Sequence, residues 1–202
     1  MSTTKNPQAS IFKDYRAEKT ALRSHIRAVL AAMTPSFLAE ASNLAIALLA
    51  KQRMWKEAQS VLLYAPLPEE LDIWPLLSIA LKEGKMVALP RYIQKDKSYV
   101  ICPVSDPEND LQIGQFGIRE PASHCLPAPI SQLDFVLVPG VAFDLHGRRL
   151  GRGRGFYDQL LKAVRGKTCG IAFDEQIVET VPVEPHDILV NSILTPSRWV
   201  EV

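Results

Sequence analysis

This 202-residue chain is short of several things, and each shortage excludes something. Cysteine occurs three times, at Cys102, Cys125 and Cys169, an odd number without the close spacing of a metal site. No disulfide framework is implied, and the three read as buried thiols in a reducing, cytoplasmic setting. Neither charge sign dominates. The 23 basic and 22 acidic side chains leave a net charge of +1, whereas a dedicated nucleic-acid binder is usually lopsided toward lysine and arginine. No apolar run approaches the roughly 20 residues that cross a membrane. The N-terminal Met-Ser-Thr-Thr-Lys-Asn-Pro has no apolar core for a secretory signal. With 47% hydrophobic residues, the chain can bury a core without staples. The expectation is one domain over residues 13–202 behind a loose tail at residues 1–12. It would act as a monomer, with no nucleic-acid or membrane partner.

Glycine is also scarce, yet four of the ten crowd into one stretch: Gly147, Gly151, Gly153 and Gly155. Arg148, Arg149, Arg152 and Arg154 interleave with them. Glycine lets a backbone approach a ligand closely, and arginine offers a planar charged fork that matches phosphate oxygens. From Gly155 the pattern turns helical, with Phe156, Leu160, Ala163 and Val164 at helical spacing. A glycine–arginine loop opening into a helix presents free N–H groups to one point, which suits a polyphosphate. Neither common phosphate signature is present. The Gly-Lys-Ser/Thr ending is missing, and these glycines recur at every second residue. Asp158, inside the first helical turn, is an ordinary helix-start acid and equally a candidate Mg²⁺ ligand beside phosphates.

The rest of the chain supplies a frame. Helices are expected over residues 14–33 and 36–53, broken at Thr34-Pro35-Ser36, with Trp55 packed against the pair. Lys19 and Arg23 are four apart and share a helix face, which by itself reads as a solvated basic face. Strands are expected at residues 61–64, 86–89, 98–104, 133–138, 168–173, 193–195 and 199–200, with a helix at 74–81 stopped by Gly84. Strand, helix, strand in succession builds parallel sheets. The fold class is therefore α/β, a three-layer Rossmann-like and mostly parallel sheet with an N-terminal helical hairpin. Its loops at residues 65–72, 114–121, 144–158, 174–176 and 184–187 can gather on one rim, where such sheets bind ligands.

Several motifs in order resemble the 5-formyltetrahydrofolate cyclo-ligase family, from about Lys19 to the C-terminus. They are Lys19-Thr-Ala-Leu-Arg23, residues 64–72, Gly84-Lys85 with Leu89-Pro90-Arg91, and Phe116-Gly-Ile-Arg-Glu-Pro121. Pro139-Gly140 through Asp144, residues 147–158 and Pro182-Val-Glu-Pro-His186-Asp187 follow. The resemblance implies an enzyme that uses ATP and Mg²⁺ to close 5-formyltetrahydrofolate into 5,10-methenyltetrahydrofolate, releasing ADP and phosphate. It assigns Lys19, Arg23, Arg149, Leu150, Gly151, Arg152, Gly153, Arg154, Gly155, Phe156 and Tyr157 to ATP. It assigns Ala65, Glu70, Arg152, Gly153, Arg154, Gly155 and Phe156 to the folate, with Arg152 and Arg154 acting in catalysis. Asp158 and Asp187 match the family's Mg²⁺ positions. Tyr64, Phe116 and Phe143 are candidates either for stacking on the pterin or for the core. Two departures stand out: Phe156 replaces a frequent tyrosine, and Asn191 replaces a frequent aspartate. The first removes a hydroxyl, and the second puts any charged role at position 191 in doubt.

Overall fold

A computed structural model describes residues 15–115, 117–153, 155–184 and 187–202. The expected tail at residues 1–12 lies outside them. Helix α1 (Tyr15–Ala31) turns Ile26 and Leu30 inward. The chain then bends by 106° into α2 (Pro35–Leu49). Thr34 makes that corner: its hydroxyl accepts the Phe37 N–H at 3.3 Å, and Pro35 occupies a first-turn position where no N–H is needed. The second helix stops at Leu49 rather than residue 53, because Gln52 is extended and starts a separate short helix, α3 (Arg53–Glu57). Trp55 on α3 is fully buried, edge-on to Phe135 of the sheet at 6.1 Å, in a core cluster that also holds residues of both helices.

Next come β1 (Ser60–Leu62), α4 (Trp74–Lys82) and β2 (Met86–Ile93), with Gly84 at φ 75° ending the helix. Strand β3 (Ser98–Val104) returns antiparallel to β2, and β4 (Leu111–Ile113) with β5 (Arg119–Pro121) forms a small ribbon. Strand β6 (Phe135–Pro139) leads to a second ribbon, β7 (Ala142–Phe143) with β8 (Arg149–Leu150). Helix α5 (Phe156–Leu161), β9 (Lys167–Ile171), β10 (Ser192–Leu194) and β11 (Trp199–Glu201) complete the order.

The main sheet has seven strands in the order β11-β10-β9-β6-β1-β2-β3. The five inner strands pair in parallel, and β11 and β3 run antiparallel at the edges. Both faces are covered, which explains why the strands read as unbroken apolar runs. Phe135 and Leu137 of β6 point into a core shared with α1, α2, α3 and α4; Val136 and Val138 point into one shared with Leu161 of α5. All four are fully buried. This is the expected three-layer, mostly parallel α/β fold.

Strand order reverses between β1 and β6. From β1 the chain moves to β2 on one side, and from β6 to β9 on the other. The two connections diverge there and leave a crevice beyond the carboxyl ends of β1 and β6, the place where open α/β sheets bind ligands.

The central stretch is more ordered than a free loop. Its first part is the β7–β8 ribbon, whose turn is tied by the fully buried Asp144. The Asp144 carboxylate accepts from His146 N (3.0 Å), Arg148 N (3.2 Å) and Val181 N (2.9 Å). Helix α5 is shorter than its apolar spacing predicts. Ala163 and Val164 leave it in tighter turns that bond back to Leu160 and Leu161, so the apolar stripe continues where the helix does not.

Candidate active site

At the switch point lies a cavity of about 520 Å³, within the range of small-molecule sites. Tyr64 and Ala65 reach it from the end of β1, and Pro139 and Gly140 from the end of β6. Arg149, Gly151, Arg152, Gly155, Phe156, Tyr157 and Asp158 enter it from the β8–α5 connection, and Glu70 from the loop after β1. The connection's course depends on two backbone conformations that a Cβ disfavours, Gly153 at φ 95° and Gly155 at φ 66°. The lining combines two kinds of side chain. Aromatic rings are one: Tyr99 and Phe156 meet edge-on at 5.1 Å, and both pack against Tyr92 at 5.3 and 6.0 Å. The others are charged: Arg27, Arg149, Arg152, Glu70, Glu120 and Asp158.

Arg152 is held by two carboxylates. Its Nη1 donates to Glu69 at 3.0 Å, and its Nη2 and Nε to Glu70 Oε1 at 2.8 and 3.3 Å. Burial works against the charged guanidinium, and Glu70 and Glu69 outweigh it, so the pKa is raised. Glu70 also accepts the Leu67 N–H at 3.0 Å, which fixes its orientation. Arg149 is nearly enclosed. It pairs with Asp158, lies over the Tyr157 ring at 5.9 Å, and leaves its Nε buried without a hydrogen-bond partner among the described residues. Burial pushes the Tyr157 hydroxyl well above the ordinary phenol range, so it is a neutral donor near physiological pH. Leu150 is a core side chain, which leaves only its backbone for a ligand.

Two α1 residues bind loops beside the cavity, Arg23 the β8–α5 connection and Lys19 the loop at residues 184–187. Arg23 Nε donates to the Gly151 carbonyl at 2.9 Å, and its guanidinium lies against Gly153. Lys19 Nζ donates to Glu184 and Asp187, each at 2.8 Å. Burial alone would lower the Lys19 pKa, but Asp187 and Glu184 together raise it. Asp187 also accepts the Glu184 N–H at 2.8 Å. Asp158 and Asp187, the expected metal carboxylates, thus each face a cation. Hard oxygen donors of this kind suit Mg²⁺, which takes one or two carboxylates and fills its remaining positions with phosphate and water. Another group of metal-type side chains among the described residues, Asp110, His124 and Cys125, lies on the β4–β5 side. Its members already bond to one another: His124 Nε2 is 3.1 Å from Asp110 Oδ1, and Cys125 Sγ is 3.5 Å from the Asp110 carbonyl.

Not every expected residue takes part in the cavity. Arg154 and Phe116 lie outside the described residues, as does His186. Phe143 is fully buried in the core, while Tyr64 lines the cavity and donates its hydroxyl to the Leu71 carbonyl at 3.2 Å. Gln176 supports the rim from beneath through the Gly140 and Val141 carbonyls (2.9 and 3.0 Å). Asn191 accepts from Thr168 N and Oγ1 (2.9 and 3.1 Å), a neutral staple between β9 and β10. Sequence reasoning missed Arg27, Tyr99, Ile118 and Glu120, all in the wall. Arg27 had a signal, since it continues the four-residue spacing of Lys19 and Arg23. Ile118 and Glu120 stood in the motif and loop expected on the rim but were given no role, and Tyr99 had no signal, because the antiparallel return of β3 is what brings it in.

Comparison with known proteins agrees with this geometry. A family-level match to the 5-formyltetrahydrofolate cyclo-ligase family spans residues 15–196. The 5-formyltetrahydrofolate cyclo-ligases of Mycolicibacterium smegmatis and Escherichia coli are each 34% identical to the chain. The first match covers 70% of this chain and 76% of the relative, the second 70% and 80%. The solution structure of Aquifex aeolicus 5,10-methenyltetrahydrofolate synthetase superposes with a TM-score of 0.82 at 34% identity, covering 91% of this chain and 92% of the other. A Mycoplasma pneumoniae 5,10-methenyltetrahydrofolate synthetase shares the fold, with a TM-score of 0.71 at 21% identity over 89% of this chain and 99% of the other. With its sequence matched almost end to end and its cavity at the sheet's switch point, the chain belongs to the 5-formyltetrahydrofolate cyclo-ligase family.

Proposed function

We propose that this protein uses ATP to cyclise 5-formyltetrahydrofolate to 5,10-methenyltetrahydrofolate, giving ADP and phosphate. The observation that carries the reading is a cavity lined by both aromatic rings and arginines in a chain of this family. The rings suit a flat pterin, and the arginines suit a polyphosphate. The formyl oxygen attacks the γ-phosphorus as the bond to ADP breaks. N10 then attacks the formyl carbon and loses its proton, and the carbon–oxygen bond breaks to release phosphate. Phosphorylation turns a poor leaving group into a good one. Such transfers depend on positioning and charge neutralisation more than on a protein nucleophile. The buried Cys169 thiol agrees with that: burial pushes it up to about 12.

In this reading Arg152 and Arg154 neutralise the transferring phosphoryl group. Arg152 is already oriented by Glu69 and Glu70, so little ordering remains at the moment of reaction. Lys19, Arg23 and Arg149 face the ATP phosphates, with the backbone of residues 150–157, and the orphaned Arg149 Nε supports an acceptor arriving there. Ala65, Glu70 and the residues 152–156 border the folate. Asp158 and Asp187 would hold Mg²⁺, which supplies charge neutralisation at the phosphate oxygens. Their present partners Arg149 and Lys19 would then turn to phosphate. One chain carries all these groups, and the protein is proposed to act as a monomer.

The test mixes purified protein, 5-formyltetrahydrofolate and MgATP and follows the near-ultraviolet band of the methenyl product, with ATP or Mg²⁺ omitted as controls. Growth of the band only in the complete mixture is expected. No growth while both ligands bind would replace the enzyme by a folate- and nucleotide-binding protein of the same fold.

A further inference from the structure

We infer that Glu120 is a binding residue for the folate, its carboxylate accepting N–H donors on the edge of the pterin ring. The inference rests on the function proposed above and names a contact that neither the motif comparison nor any charge pattern assigns. Glu120 sits on β5, is 8% exposed, and lines the cavity. Its only hydrogen bond among the described residues is the Tyr92 N–H to Oε2, at 3.2 Å. No ion pair joins it there, so it is a buried carboxylate with most of its acceptor capacity unused. A buried charge in that state is costly, and chains keep one where something supplies donors.

Three further observations say what that partner is. Tyr92, whose backbone N–H reaches Glu120, packs its ring against Tyr99 and Phe156, and those two rings line the same cavity as Glu120. The other acids in the cavity wall are already engaged: Glu70 by Arg152 and the Leu67 N–H, and Asp158 by Arg149. The chain also makes room for the carboxyl group itself, since a Cβ on Gly114 would overlap it. A ring with adjacent N–H donors, as a reduced pterin carries on its pyrimidine edge, matches a carboxylate in this place.

Glu120→Gln separates this role from a structural one. The amide oxygen still accepts from Tyr92 N–H and the side chain keeps its shape, while its NH₂ opposes an incoming N–H donor. The expected result is a rise of roughly ten- to a hundredfold in KM for 5-formyltetrahydrofolate, with KM for ATP within about twofold of wild type. Calorimetric binding of 5-formyltetrahydrofolate should weaken by the same factor. An unchanged folate KM and Kd, or equal losses for folate and ATP, would overturn the inference. Calorimetry also separates the two proposals. If wild type binds folate more tightly than Glu120→Gln yet forms no methenyl product, the contact stands and the reaction falls.

Discussion

Replacing Arg152 by alanine should cost the protein much activity and little stability. The stability loss follows from exposure. The Arg152 side chain is 39% exposed and Glu69 45%, so that pair is screened and contributes a few tenths of a kcal/mol at most. Glu70 is 11% exposed, and its two bonds to the guanidinium are charge-assisted, together worth about 1 kcal/mol. The sum is about 1–1.5 kcal/mol, or a fall in Tm of roughly 3–6 °C for a chain of this length. The kinetic loss is set by different physics. A preorganised cationic donor at a transferring phosphoryl group contributes about a hundredfold or more to kcat. Arg152→Lys should recover only part of it, since an ammonium cannot reproduce the fork that spans Glu69 and Glu70. The assay is initial rate at saturating 5-formyltetrahydrofolate and MgATP, paired with thermal unfolding. A kcat within threefold of wild type would refute the role of Arg152. So would a collapse in Tm of 15 °C or more, which would make the side chain a structural element.

Two predictions concern pH. Asp134 accepts from Ser60 Oγ, Ser60 N and Gln59 N, each at 2.9 Å, and chiefly through Ser60 its pKa is lowered. Its contribution is present above the ordinary aspartate range near 4 and is lost as pH falls through the folded value. Asp134→Ala should therefore cost about 1 kcal/mol at pH 7, and the two unfolding curves should converge in acid; a constant gap down to pH 2 would contradict this. At the other limit, the unfolded Cys169 thiol ionises near 9, while the buried one is pushed up to about 12. Above pH 9 the unfolded chain sheds a proton that the folded chain keeps, so stability declines on the order of 1 kcal/mol per pH unit. The buried Tyr64 and Tyr157 hydroxyls, raised likewise by burial, add to this at higher pH. Cys169→Ala should flatten the first part of the decline, and denaturant midpoints between pH 8 and 11 would show whether it does.

The sequence alone determined the elements and the chemistry. Apolar runs at Val61-Leu62-Leu63 and Phe135-Val136-Leu137-Val138 read as strands covered on both faces, and Thr34-Pro35 as a corner. The glycines and arginines at 147–155 mark an anion loop because glycine allows close backbone approach and arginine matches phosphate oxygens. What it could not determine was which groups face each other. Lys19 and Asp187 are 168 residues apart, and Arg152 and Glu70 are 82 apart, so no local spacing records either pair. Helix α5 ends early because its apolar stripe is satisfied by turns as well as by helix, a choice made by packing. Arg149 reads as another exposed loop cation until the β7–β8 ribbon buries it against Asp158. Glu120 was an acid in a short motif until the antiparallel β3 and the β4–β5 ribbon carried it to the cavity wall. Propensity and patterning are local and survive in the sequence; partners, burial and the resulting charge states arise from contacts across the chain, and only the tertiary structure supplies those.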